Sequence, residues 1–346
     1  MKIKIKKIDS ITYTSEGAGL DHCFVVFQKE KQVVYTISAG SIKKTLIIPE
    51  NYDTQLCDVQ ESENQISILV ERIEDRARFF MIADKHTKQI SFYELPKYIT
   101  ERDILVLDHW RLFEWGICYD YRLGFIVWDR SEELRGILRP QVRIRENFLV
   151  ACWTKEKGIY LYQLDKKGTI LFQTKVGDYN PEHLFMCYIE QEIYIHIAED
   201  MRYGKHGSLW IVYDLELKKQ YEIHSKIPYI QNGKVDIQDG NIYVEDYGDI
   251  IEINREKKKE EICKIPFMNK MIEEFLFALS KDIFIVQTGE KQIAIINQQE
   301  HEMKYRSFHG EIRMAKKENG IGYILVTRER DGKEEANLYE IVLEEC

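Results

Sequence analysis

Residues Gly124–Leu138 read "GFIVWDRSEELRGIL": an apolar run closing on Trp128-Asp129, a polar stretch, then a second, shorter apolar run. Two apolar runs flanking a polar turn make the pattern of a β-hairpin. The pattern recurs as "FFMIADKHTKQISFYEL", "IYLYQLDKKGTILFQT", "LWIVYDLELKKQYEI", "IIEINREKKKEEICKI" and "AIINQQEHEMKYRSF". The residues opening these turns are Asp84, Asp129, Asp165, Asp214, Asn254 and Asn297, spaced by 45, 36, 49, 40 and 43. An earlier copy, "VVYTISAGSIKKTLII", puts Ser38 in the same place, 46 residues before Asp84, and a last run, "NLYEIVLEE", falls where an eighth copy ends. Asp, Asn and Ser suit a turn-opening position because their short side chains bond the amides that follow.

The prolines repeat the count. Pro49, Pro96, Pro140, Pro181, Pro228 and Pro266 each follow a copy, and proline is excluded from central strands, so it marks connections. Two further apolar runs lie between each proline and the next hairpin; in one copy they are "VDIQ" and "NIYVED", split by the hairpin pair Asp239-Gly240. Each unit is therefore four short antiparallel strands, first to fourth. First strands start near Ile11, Gln55, Ile104, Gln141, Leu184, Lys234, Glu274 and Glu311. A period near 43 residues with four strands per unit is that of a β-propeller blade. The expectation is an all-β fold: a single β-propeller domain over 1–346, with eight four-stranded blades and seven as the next count. The N-terminal strand 2–8 completes the last blade, 311–343, and removes its open edge. "NKMIEEFLFALS" also has apolar residues at helical spacing, so a short helix competes with the strand there.

In period and strand pattern nearly the whole chain resembles the WD-repeat β-propellers. Trp128-Asp129 stands where that family places its dipeptide, with weaker echoes in Val212–Asp214 and Gln163–Asp165. The family's Gly-His pair, which ties a histidine into a buried polar network, has no repeated counterpart. The resemblance implies a propeller outside the strict WD-repeat class.

Function is less legible. The net charge of −9 comes from 58 acidic residues mixed with 49 basic ones, with no basic block, which argues against nucleic acid as a partner. No apolar run is long enough for a membrane span, and the basic start "MKIKIKKIDSITYT" lacks the apolar core of a signal peptide. The seven cysteines are odd in number, unpaired by spacing and mostly set in apolar runs, as expected of reduced thiols in the cytoplasm. Nucleotide, P-loop, zinc-hydrolase, serine-hydrolase and EF-hand motifs are absent, so no catalytic residue, metal or cofactor is assigned.

What remains is a binding surface. Loops joining second to third strands share one face with the links between blades, and several are long. The candidate contact residues are Arg202, Tyr203, His206, Tyr179, Tyr229, Asp246, Tyr247 and Asp249, beside Glu199, Asp200 and Lys205. His196, within "EIYIHIAED", reads as a satisfied inner-sheet histidine. The leading expectation is a non-catalytic propeller holding a protein partner, with a small-molecule or glycan ligand as another occupant. The alternative is a hydrolase or lyase acting on a carbohydrate or small polar substrate in the central funnel, through carboxylates, His and Tyr.

Overall fold

One hairpin shows how the others are made. Asp165 Oδ1 accepts from the amides of Lys167 and Thr169 (both 2.8 Å), and Gly168 closes the turn at φ +75°. A Cβ there would stand 2.6 Å from the Trp128 ring, so the position takes glycine on two grounds. Asp84, Asp214, Asn254 and Asn297 repeat the device, accepting from Thr87, Glu216, Lys257 and Glu300 at 2.7, 2.9, 2.9 and 3.1 Å.

A computed structural model of the chain describes residues 2–344 apart from 14–16, 21–22, 29–30, 39, 54–58, 62–64, 85, 96–102, 108–109, 114–115, 121–122, 135, 200–207, 229, 231–234, 247, 264 and 266–271. All the described elements are strands, paired antiparallel and mostly with their sequence neighbours. In chain order the sheets span 17–48, 52–94, 103–129, 137–177, 181–225, 235–262, 274–307 and 311–344, and are numbered here from sheet 1. Lys2–Tyr13 pairs along Lys333–Glu344 and closes sheet 8, running past the expected 2–8 to take in Ile11. Glu335 fixes that closure: Arg328 donates twice to its Oε2 (2.9 and 2.7 Å), while Lys7 and Ser10 donate to its Oε1.

The expected count of eight four-stranded blades, or seven, is corrected: the arrangement is six-bladed. The units are not equal either. Sheet 2 has five strands, because Tyr52–Asp53 and Val59–Glu61 both pair with Gln65–Arg72.

In sheet 3 the expected hairpin is one step out of place. Phe125–Asp129 is its fourth strand, not its third, and Ile137 already pairs with Cys152 in sheet 4. The true third strand is Ile117–Asp120, and Asp120 opens the turn, accepting from Leu123 N at 3.1 Å. Asp129 bonds Ser131 N (2.8 Å) in the loop between sheets. "EEFLFALS" is a strand (Glu274–Ser280), not a helix. Pro140 lies inside Ile137–Ile144, at the break in register between Leu138 and Val142, where no ladder bond is lost.

The chain divides into two compact units, Met1–Phe92 with Gly233–Ile250 and Ile262–Cys346, and Tyr93–Asn232 with Ile251–Glu261. Inside each, the core is a set of seams between consecutive sheets. In the second unit Ile193, Ile195 and Ile197 of sheet 5 are fully buried against Leu149, Ile159 and Leu161 of sheet 4. In the first, Val34, Leu46 and Ile48 meet Ile66, Ile68 and Val70. Each such aliphatic side chain is worth roughly 1.5–3 kcal/mol. Second strands are covered on both faces, as in Glu192–Glu199, whereas fourth strands such as Lys219–Ser225 are mostly open. Trp128 belongs to such a seam: it packs edge-on to Phe148 and donates to Lys166 O (3.1 Å).

Candidate functional site

In the second unit, a chain of part-buried polar groups joins sheets 5 and 6. Ser225 Oγ donates to Glu260 Oε1 (2.5 Å), and the same oxygen accepts from Trp210 Nε1 (3.0 Å). Glu260 Oε2 accepts from Lys226 N (2.8 Å). With its one hydrogen spent, Ser225 Oγ accepts from Ile227 N and from His196 Nε2, both at 3.1 Å. That fixes the His196 tautomer: Nε2 carries the proton, and Nδ1 is a bare acceptor with no partner among the described residues. Burial pushes the His196 pKa down to about 3, against an opposing contribution from the Ile227 backbone. The ring is fully buried and leans on Trp210, 4.9 Å between centroids.

The direction of these bonds decides their chemistry. A serine nucleophile hands its proton to histidine; here histidine donates to serine, and serine to glutamate. At neutral pH His196 is uncharged and sealed. The network is a frame. His196 alone was expected to be satisfied, and at Nε2 it is; the open Nδ1 was not foreseen.

Of the eight expected contact residues, Arg202, Tyr203, His206, Tyr229 and Tyr247 lie outside the described residues, as do Asp200 and Lys205. Glu199 ends its strand buried, with Oε1 accepting from Asn180 N at 3.3 Å. Tyr179 is half-buried: its ring lies against Gly177, its carbonyl accepts from Trp153 Nε1 (3.0 Å), and burial raises its hydroxyl pKa. In the other unit, Asp246 and Asp249 flank one tight turn of sheet 6. Gly248 sits there at φ +94° and donates to the buried Glu245 carboxylate (2.9 Å).

A different turn in that first unit went unnoticed in the sequence. Between the second and third strands of sheet 2, Arg72 grips Asp75 with two parallel bonds (2.8 and 2.6 Å) and lies over the Phe79 ring. Arg76 donates to Glu71 (2.7 Å), and Ile73 N to Asn51 O (2.9 Å). The clamp holds the Asp75 carboxyl well below the usual range, chiefly through Arg72. On this frame Ile73 stands 53% exposed. The one signal was an isoleucine set among charges in "ERIEDR".

No group of three or more His, Cys, Asp or Glu among the described residues could hold a metal ion. Burial pushes the Cys152 and Cys187 thiols up to about 12, away from nucleophilic use.

No protein-family model and no curated protein sequence matches the chain. Solved structures do resemble it. BamB from Moraxella catarrhalis is 13% identical with a TM-score of 0.57, over 96% of this chain and 99% of that one. Looser likenesses, each 11% identical with a TM-score of 0.44, are the beta-propeller domain of the Trilobed protease from Pyrococcus furiosus and the Pan2 WD40 domain from Neurospora crassa. The first covers 91% of both chains, the second 97% of this chain and 95% of that one. By fold, the chain is a β-propeller.

Proposed function

We propose that the chain is a non-catalytic binding protein that holds a protein partner on the turns joining second to third strands. The observation that carries this reading is the clamped turn of sheet 2, which offers one apolar side chain, Ile73, on a frame fixed by Arg72–Asp75 and Arg76–Glu71. An apolar anchor already held in place loses little entropy on binding, which is how a small contact becomes a strong one. The state of His196, Ser225 and Glu260 is in keeping with it, since the best acid–base candidates are spent on one another. Buried thiols at Cys118, Cys152 and Cys263 suit a reducing compartment such as the cytoplasm. Arg202, Tyr203, His206, Tyr229 and Tyr247 belong to the same proposal as further contacts.

The test is affinity capture from the native cytosol with wild type, Ile73→Asp and Arg202→Ala/Tyr203→Ala, partners being read by mass spectrometry. A protein held by wild type and lost with Ile73→Asp supports the reading. A partner set unchanged in every variant overturns it.

A further inference from the structure

First strands end their sheets in the pairing order, so part of their backbone has no ladder partner. In the first unit, three of them meet at one ammonium. Lys317, on Glu311–Glu318 of sheet 8, brings its Nζ to Asp236 Oδ2 (2.5 Å), Ile237 O (3.0 Å) and Gln238 Oε1 (3.0 Å) on Val235–Gln238 of sheet 6. The same Nζ lies 3.1 Å from Ala278 O, on Glu274–Ser280 of sheet 7. The Lys317 and Asp236 side chains are only 15% and 18% exposed. Asp236 is itself fixed: Oδ2 also accepts from Ala278 N (2.7 Å), and Oδ1 accepts from Ile237 N (2.8 Å). Lysine ion pairs such as Lys4–Glu344, Lys257–Glu261 and Lys304–Glu302 are of another kind, single contacts of an exposed ammonium. Lys316, next in the chain and also buried, donates instead to Ile37 O in sheet 1.

We infer that the first strands of sheets 6, 7 and 8 form a binding site for one small monovalent cation, which the chain fills with its own Lys317 ammonium. An ammonium has three hydrogens, and four oxygens stand within reach of this one. One carboxylate, one amide and two main-chain carbonyls converging on a single atom coordinate an ion; they do not match one donor to one acceptor. The distances suit an ammonium, whereas oxygen ligands stand at roughly 2.0–2.1 Å from magnesium and roughly 2.3–2.6 Å from calcium. A single carboxylate likewise balances a single positive charge. The role that follows is to hold three consecutive sheets at their first strands, since a cation there satisfies carbonyls of two sheets that no ladder reaches. The site is separate from the turns proposed above and from the His196–Ser225–Glu260 frame.

The experiment is rescue of Lys317→Ala by free ammonium. Urea midpoints of the full chain are compared in ammonium chloride and in tetramethylammonium chloride, whose cation is larger and has no N–H, at equal ionic strength. Lys317→Ala is expected to fall below wild type in tetramethylammonium and to regain at least half of that loss in ammonium. Wild type should unfold at the same midpoint in both salts. Lys317→Met refills the cage with apolar atoms and Lys317→Ala/Asp236→Asn lacks the carboxylate, so neither should regain anything. Equal midpoints of Lys317→Ala in the two salts overturn the inference, as does a rescue that survives Asp236→Asn or raises wild type as much. If Lys317→Ala does not fold, hydrogen exchange of the lysine ammonium groups in wild type, read by 15N NMR, decides the matter. Exchange at Lys317 at least tenfold slower than at the exposed Lys4 supports the site, and exchange as fast as at Lys4 overturns it.

Discussion

Where third strands turn into fourth, five sheets use one device: an Asp or Asn side chain holding the amides two to four residues on, at Asp84, Asp165, Asp214, Asn254 and Asn297. Sheet 3 does the same at Asp120. Where second strands turn into third, the described turns share a positive-φ glycine in sheets 4, 6 and 8 but no common side-chain device. Sheet 2 has an Arg72–Asp75 clamp, sheet 4 a Thr154 hydroxyl that accepts from Lys157 N (3.2 Å), and sheet 6 a buried Glu245 on Gly248 N. A turn that only returns the chain is solved once and repeated. Turns that differ from sheet to sheet are free to be shaped by what they touch, and the candidate surface was drawn from them.

The sharpest way to break this contrast is at the frame beneath the variable end. Glu260→Ala strips the indole of Trp210, the hydroxyl of Ser225 and the amide of Lys226 of their acceptor. A loss of about 3 kcal/mol in urea unfolding is expected, since the fully buried indole is left unpaired and two further bonds to the carboxylate are lost. A loss under about 1 kcal/mol would mean the chain of bonds is incidental.

Next comes pH. The folded-state pKa of His196, about 3, lies below the ordinary histidine value of 6.5, so the unfolded chain takes up a proton that the folded one refuses. The contribution is intact above pH 6.5 and shrinks as pH falls from there toward 3, by about 1.4 kcal/mol per unit, or about 2 kcal/mol at pH 5. His196→Gln should flatten that part of the stability profile, compared with wild type by urea unfolding at pH 7 and pH 5. An unaltered slope would contradict the buried, neutral ring. Glu335 acts lower on the scale: its carboxyl is held at about 2, first by Arg328, so what it adds to the closure of sheet 8 is present above the usual carboxylate pKa and fades only below it.

A smaller effect separates the two aspartates of sheet 3. Asp120 is 2% exposed and opens the turn, whereas Asp129 is exposed in a loop. Asp120→Ala should cost about 2 kcal/mol, and Asp129→Ala less than about 0.5 kcal/mol. The reverse order would restore Phe125–Asp129 to the third position.

That pair also shows where the sequence was legible. The period was plain because turn openers are short polar residues at fixed places between apolar runs, and chemistry alone selects them. In sheet 3, "ICYD" and "FIVWD" both end in aromatic-Asp, nine residues apart, and the longer apolar run drew the assignment. Its length has another cause: Trp128 fills the seam against Phe148, so a fourth strand there is as apolar as a third. Sheet 2 misled differently, since no spacing reveals that two short strands share one partner. The site was least legible. Ile73 is marked by isolation among charges and by geometry that only the folded Arg72–Asp75 clamp supplies, and the His196–Ser225–Glu260 chain joins residues 64 positions apart.

Sheet 2 carries both kinds of turn, and a paired measurement on it tests the account most directly. Ile73→Asp and Asp84→Ala alter opposite ends of the same hairpin strand, Arg78–Asp84 and the turn before it. Each variant is assayed for its urea midpoint and for partner capture from native cytosol. The account predicts that Ile73→Asp keeps the wild-type midpoint and loses the partner, while Asp84→Ala lowers the midpoint and keeps the partner. Capture retained by Ile73→Asp, or lost with Asp84→Ala alone, would contradict it.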